Sequence, residues 1–138
     1  MAETADTIEL EIVTPERLVV KDQAKEIQIP GRNGYLGILP GHAPLITELA
    51  VGEITYVNGG LPTRLCVAWG FAEVLPNKVT ILAETAERAE DIDVPRAEAA
   101  RDRAQQSLKE GASDTDAYED ATNALARAEA RLAVAKQK

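Results

Sequence analysis

The chain has 138 residues, 45% of them hydrophobic, with a formal net charge of −8 and a sequence pI of about 4.7. That length buries a core for one domain plus an appendage. The acidic balance argues against a nucleic-acid groove or an anionic membrane surface as the main partner, because phosphates are repelled over most of the face. Cys66 is the single cysteine, so no internal disulfide and no cysteine metal cluster exists, which fits a reducing compartment. The acidic N-terminus lacks a basic n-region and an apolar h-region, and nowhere do about 18 apolar residues run together. A soluble protein is expected, one that meets a membrane only through a partner.

Composition shifts near Ala86. Eight of nine glycines and six of seven prolines lie before it, and fourteen alanines with a lone Gly111 lie after it. Residues 7–14 alternate Ile8, Leu10 and Ile12 with Glu9 and Glu11, the period of a half-buried strand, and Pro15 ends it. Arg17 to Lys21 and Lys25 to Ile29 read as short strands before the turn cluster at 30–34. Glu53 to Val57 and Thr63 to Trp69 flank Asn58-Gly59-Gly60, a strong hairpin signal. Gly70 is expected to break the chain before Phe71 to Leu75 and Lys78 to Ala83, with Pro76-Asn77 as their turn. Strands at this spacing predict a β-sandwich of about nine to ten antiparallel strands.

From Glu87 the period becomes helical. Asp93 is placed to cap a helix, Pro95 fits only its first turn, and Ala97, Ala100, Ala104 and Leu108 form a stripe that Gly111 ends. Ser113 and Asp116 resemble a capping box with Asp in place of Glu. A second stripe follows, of Tyr118, Ala121, Leu125, Ala128, Leu132 and Ala135. A connection of three or four residues predicts an antiparallel two-helix hairpin. The division is an N-terminal sandwich over residues 1–87 and a C-terminal hairpin over 88–138. Alanine buries little area, so the helix pair is weakly held, yet each helix persists by itself. Stable elements with a weak interface suit a conformational switch; an ordinary, permanently docked hairpin is the other reading.

Two groups of residues stand out. The first is residues 34–49, where Gly34, Gly37, Gly41, Pro40 and Pro44 punctuate an apolar run and force fixed turns. Its His42 is the sole histidine and reads as a structural loop residue, since a catalytic or metal role needs companions the sequence does not place. Trp69 reads as a core residue. The acidic cluster Asp114, Asp116, Glu119 and Asp120 suits a helix N-terminus rather than calcium.

The second group is arginines. Arg96 has Asp93 and Arg101 has Glu98 within helical reach, but Arg103, Arg127 and Arg131 have no carboxylate at i±3 or i±4, and Arg127 and Arg131 repel each other by roughly 0.2–0.5 kcal/mol. In an antiparallel pair, Arg96, Arg103, Arg127 and Arg131 converge on one small polyanion, and arginine's planar fork suits phosphate. A nucleoside triphosphate is one candidate; carboxylates of the sandwich or of a partner are the other.

Gly34 to Leu45, Gly-Tyr-Leu-Gly-Ile-Leu-Pro-Gly-His-Ala-Pro-Leu, resembles the signature of the epsilon subunit of F-type ATP synthases, as do the opening Glu11 to Pro15 and the helical tail. The resemblance implies a rotor-contact loop of Tyr35, Leu36, Gly37, Ile38, Leu39, Pro40, Gly41 and His42. It also implies a non-catalytic central-stalk subunit that couples the gamma subunit to the c-ring. Its hairpin switches between a compact form and an extended form that reaches the catalytic alpha/beta head and inhibits ATP hydrolysis. Ile92-Asp93-Val94-Pro95-Arg96-Ala97 looks like the I/L-D-x-x-R-A motif of ATP-binding members. By that match Asp93, Arg96 and Ala97 carry over directly, and Glu87, Arg103, Arg127 and Arg131 fit the outlying positions. Pro95 is not part of that pattern. With no Walker lysine, ATP is implied as a regulatory ligand of the compact form, and no metal is required. The implied place is peripheral, on the cytoplasmic face of the bacterial inner membrane. The alternative is a free-standing nucleotide-sensing or adaptor module with the hairpin as its effector arm.

Overall fold

Residues 6–111 and 114–136 are described, from a computed structural model. The chain divides into two compact units, the first ending at Arg88 and the second beginning at Ala89.

The first unit is a β-sandwich of eight strands: β1 Ile8–Val13, β2 Leu18–Ala24, β3 Glu26–Gly31, β4 Gly34–Ile38, β5 Leu45–Leu49, β6 Gly52–Val57, β7 Thr63–Val74 and β8 Lys78–Arg88. The hydrogen-bonded order is β2-β1-β8-β7-β5-β3-β4, with β6 joining β7 to β3. The count falls below nine because Gly70 does not break the chain. β7 runs through it for 12 residues and pairs with β8 in one register from Leu65↔Arg88 to Val74↔Val79, skipping only Trp69. Its other edge is shared, since β6 pairs with residues 63–67 and β5 with residues 70–74. Where they meet, the Trp69 amide donates to the Ala50 carbonyl at 3.3 Å.

Trp69 adopts φ +47 there and is half-buried, so it marks a kink and does not sit in the core. One pair departs from the antiparallel expectation: β1 lies parallel to β8, from Glu9↔Lys78 to Val13↔Leu82. The core is aliphatic, with Ile8, Leu10, Ile12, Ile27, Ile29, Ile38, Ile54, Leu65 and Ile81 fully buried. Each such side chain contributes about 1.5–3 kcal/mol by leaving water.

β8 also corrects the sequence reading at its far end. Glu87 and Arg88 belong to the strand, opposite Cys66 and Leu65, and the chain turns only at the short 3-10 segment Ala89–Asp91. The alternation breaks after Ala83, where Glu84 and Thr85 are both exposed before Ala86 is buried, and two alanines carry little hydrophobic signal, so the sequence did not show the strand going on.

The second unit holds α1, Val94–Lys109, and α2, Thr115–Ala135. Asp93 caps α1 by accepting the Arg96 amide at 3.1 Å, and Pro95 fits its opening turn. Gly111, at φ +76, follows the helix end. Residues 110–114 connect the helices, five rather than three or four. The cap of α2 is Asp114, whose carboxylate accepts the Ala117 amide at 2.7 Å; Ser113, the expected cap, lies outside the described residues. Ala121, Ala128, Leu132 and Ala135 of the second stripe are buried, but Tyr118 is 57% exposed. A large ring so close to the helix start lies beyond the packed stretch.

Candidate functional site

The helices pack antiparallel. Val94, Glu98 and Arg101 share one depression with Leu132, Ala135 and Lys136, while the later turns of α1 face the earlier turns of α2. That second meeting forms an open groove of about 800 Å³. Small side chains make it: Ala100 and Ala104 from α1 and Ala121 and Ala124 from α2 leave room that leucines would fill. Arg103 from α1 and Arg127 and Arg131 from α2 line it together. Its connecting end carries Ser107, Glu110, Gly111, Ala117 and Asp120. The groove thus sets three guanidinium groups over an alanine floor, with two carboxylates at one end. Such a site attracts a polyanion and offers acceptors to the neutral donors of the same molecule.

Three of the seven residues assigned to a nucleotide site therefore come together. Asp93, Arg96 and Ala97 occupy the opening turns of α1 and do not line this groove; Arg96 is exposed and Ala97 is buried. Seven residues separate Arg96 from Arg103, about 10 Å along the helix axis. Glu87 stands in β8 of the first unit. The expectation that Arg127 and Arg131 lack partners is corrected: both are half-buried and each is engaged in a polar or electrostatic interaction. Arg101 likewise bonds Asp102 at 3.2 Å and not Glu98. Sequence reasoning also missed Glu110 and Asp120 as groove residues, since only the packed pair places them beside the arginines.

The glycine-punctuated stretch is strand at both ends, β4 and β5, and a turn only over residues 39–44. Gly34 and Gly41 take φ +132 and +88, whereas Gly37 sits in ordinary strand conformation. The turn is tied down: the Gly41 amide donates to Pro76 at 2.8 Å and the His42 amide to Leu39 at 3.1 Å. His42 Nδ1 lies 2.6 Å from the Ala43 carbonyl oxygen, so that nitrogen carries the proton and donates. Tyr35 and Leu39 are 55% and 58% exposed, while Ile38 is fully buried and Leu36 packs partly against the core. The Tyr35 hydroxyl accepts the Glu53 amide at 3.1 Å, and Gly52 makes room for it, since a Cβ there would lie 2.7 Å from that oxygen. The turn therefore presents Leu39 on a fixed backbone, and β4 exposes Tyr35 beside Glu53. Among the described residues no cluster of three metal-ligating side chains occurs, and no helix is long and apolar enough to cross a membrane.

A sandwich followed by an alanine-rich helix pair defines a two-part class of protein. The sequence matches the ATP synthase delta/epsilon chain β-sandwich domain over residues 7–89 and the long alpha-helix domain of the same chain over residues 90–136. It is 50% identical over 133 residues to the ATP synthase epsilon chain of Solibacter usitatus, covering 96% of this chain and 98% of that one. With the epsilon chain of Koribacter versatilis it shares 69% identity over 105 residues, 76% of this chain and 74% of that one. In the mitochondrial ATP synthase of Euglena gracilis, solved as OSCP, F1 and c-ring, one chain shares the fold with a TM-score of 0.82 at 23% identity, covering 99% of this chain and 85% of that one. The chain belongs to the epsilon-chain family of F-type ATP synthases, a non-catalytic subunit of that complex.

Proposed function

We infer that the chain works in the central stalk, where its sandwich joins the gamma subunit to the c-ring and its helix pair regulates ATP hydrolysis in response to ATP. The turn bearing Leu39, with Tyr35 of β4, would meet the rotor ring, and the complex would hold the protein peripherally on the cytoplasmic face of the bacterial inner membrane. The packed hairpin is the non-inhibiting state; in the extended state the arginines meet acidic segments of the catalytic alpha/beta head.

The observation that carries this reading is the groove between the helices, because Arg103 comes from one helix and Arg127 and Arg131 from the other. A triphosphate held there crosslinks the pair, so binding and closure are linked. Glu110 and Asp120 supply acceptors of the kind that ribose hydroxyls or an amino group satisfy. By the family motif Asp93, Arg96 and Ala97 would add to the binding of the same ligand. A ligand at its dissociation constant favours closure by about 0.4 kcal/mol, and at a thousandfold excess by about 4 kcal/mol.

Calorimetric titration of the full chain with ATP tests it, with Arg103→Ala and Arg127→Ala alongside. Saturable binding that both variants lose is expected. Absence of binding at millimolar ATP, or equal binding by the variants, removes the nucleotide from the mechanism and leaves the arginines to protein partners.

A further inference from the structure

Two of the four asparagines precede a glycine, at Asn33-Gly34 and Asn58-Gly59. An asparagine amide is thermolabile, and a glycine after it lacks the side chain that would hinder the next backbone nitrogen from reaching that amide. The sequence does not tell the two steps apart; the backbone around them does.

Asn33 sits in a two-residue turn between the paired Gly31 and Gly34. The Pro30 carbonyl accepts the Ala50 amide at 2.9 Å and the Arg32 amide donates to the Glu48 carbonyl at 3.0 Å, so both face β5. Alternation along the strand then turns the polar groups of Gly31 toward Gly34, which holds the Gly34 amide in the ladder. The Arg32 guanidinium adds a bond to the Glu48 carboxylate at 2.7 Å. Asn58-Gly59 lies instead in an exposed bend over residues 58–62, between β6 and β7. Neither the Asn58 side chain nor the Gly59 amide makes a hydrogen bond among the described residues.

A cation stands beside this bend. The Lys25 amide donates to the Val57 carbonyl at 2.7 Å and ties the β2–β3 corner to the base of the bend. A Cβ on Gly59 would lie 3.7 Å from the Lys25 ammonium, which makes no ion pair among the described residues.

We propose that Asn58 is a site of spontaneous covalent modification, converting to isoaspartate and aspartate through a cyclic imide while Asn33 is spared. The Gly59 nitrogen loses its proton and bonds to Asn58 Cγ. The bond from Cγ to Nδ2 breaks, and that nitrogen leaves as ammonia, carrying the proton away. Water then opens the ring: at the main-chain carbonyl it gives isoaspartate, at the side-chain carbonyl aspartate. No oxidant or reductant takes part. The Lys25 ammonium favours ring closure because negative charge gathers on the Gly59 nitrogen as its proton departs. The product carboxylate then meets the same ammonium, a surface ion pair that the unmodified chain lacks. The site belongs to the first unit and rests on nothing proposed for the helix pair.

The full chain, folded, is aged at mildly alkaline pH and digested after glutamate, which places Asn58 in residues 54–73 and Asn33 in residues 27–48. Mass spectrometry reads the conversion of amide to acid in each fragment. Methyl transfer from S-adenosylmethionine by an isoaspartyl methyltransferase counts the isoaspartate. Asn58 is expected to convert at least about tenfold faster than Asn33, the protection that one or two ladder hydrogen bonds provide. In urea, with both steps freed, the two rates should converge. Lys25→Gln should slow Asn58 about threefold, and Asn58→Gln should abolish methyl acceptance by residues 54–73; circular dichroism checks that both variants fold. Equal rates at the two asparagines of the folded chain overturn the inference, as does an Asn58 that converts in urea but not in the folded chain. An unchanged rate in Lys25→Gln overturns the part given to the ammonium.

Discussion

A Cβ on Gly70 would stand 1.9 Å from the carbonyl oxygen of Leu82, on the neighbouring strand. Gly70 has φ +124 and follows Trp69 at φ +47, so the chain passes two residues of left-handed backbone without leaving the β7–β8 ladder. Gly70→Ala meets both a steric clash with main chain and an unfavourable φ. We expect it to destabilise the sandwich by about 2–4 kcal/mol, read as a lower urea midpoint at unchanged slope.

Tyr56 gives the sandwich an alkaline limit. Burial pushes its phenol above the ordinary value of 10.0, helped by the Asp22 carboxylate, while hydrogen bonds with Thr63 and Arg88 pull the other way. Its hydroxyl donates to Asp22 at 3.2 Å. The neutral phenol is the form the fold favours, so the folded chain holds this proton more tightly than the unfolded one. Stability from this group is complete below about pH 10 and declines as pH rises from there through the higher folded value. Urea midpoints between about pH 9 and about pH 11 should fall less steeply in Tyr56→Phe than in the parent, with the variant about 1 kcal/mol weaker at neutral pH for its lost hydrogen bond.

The Asp114 cap offers a way to loosen one unit alone. Asp114→Ala leaves the Ala117 amide without its partner and should cost α2 about 1 kcal/mol. Amide exchange in residues 115–121 should accelerate about fivefold, while β7 and β8 keep their protection. Equal acceleration in the strands would mean that the two units do not open independently.

Steric occlusion tests the groove without altering any charge. Ala121 is buried and lies on the groove floor, and leucine is nearly as good a helix former as alanine. Ala121→Leu should fill part of the space and lower ATP affinity about tenfold by calorimetry, with far-ultraviolet helicity retained. Unchanged affinity would place the nucleotide elsewhere.

Features that depend on neighbours along the chain were legible in the sequence. Asp93, Pro95 and Gly111 announced α1 because caps, first-turn prolines and positive-φ termini are local chemistry. The alternation of Ile8, Leu10 and Ile12 announced β1 for the same reason. Gly70 misled because a glycine that interrupts a strand and one that lets a strand kink look alike until the Leu82 carbonyl is in place. The weak hydrophobic signal of β8 past Ala83, carried by Ala86 alone, hid its continuation through Arg88. At the candidate site, Arg103, Arg127 and Arg131 were visible as cations without local partners. Their grouping came from a family motif and an assumed antiparallel pair, and Glu110 and Asp120 were invisible without the packing.

The parallel pairing of β1 with β8 also sets an order of assembly. β1 precedes every other strand of the unit, yet one of its two neighbours is the last strand, about seventy positions later. Such a contact makes closure a late, non-local event. Until the chain through Arg88 has emerged, β1 has only β2 beside it and leaves its other edge open to foreign strands. The 3-10 segment and the two helices are made after β8, while that edge can close.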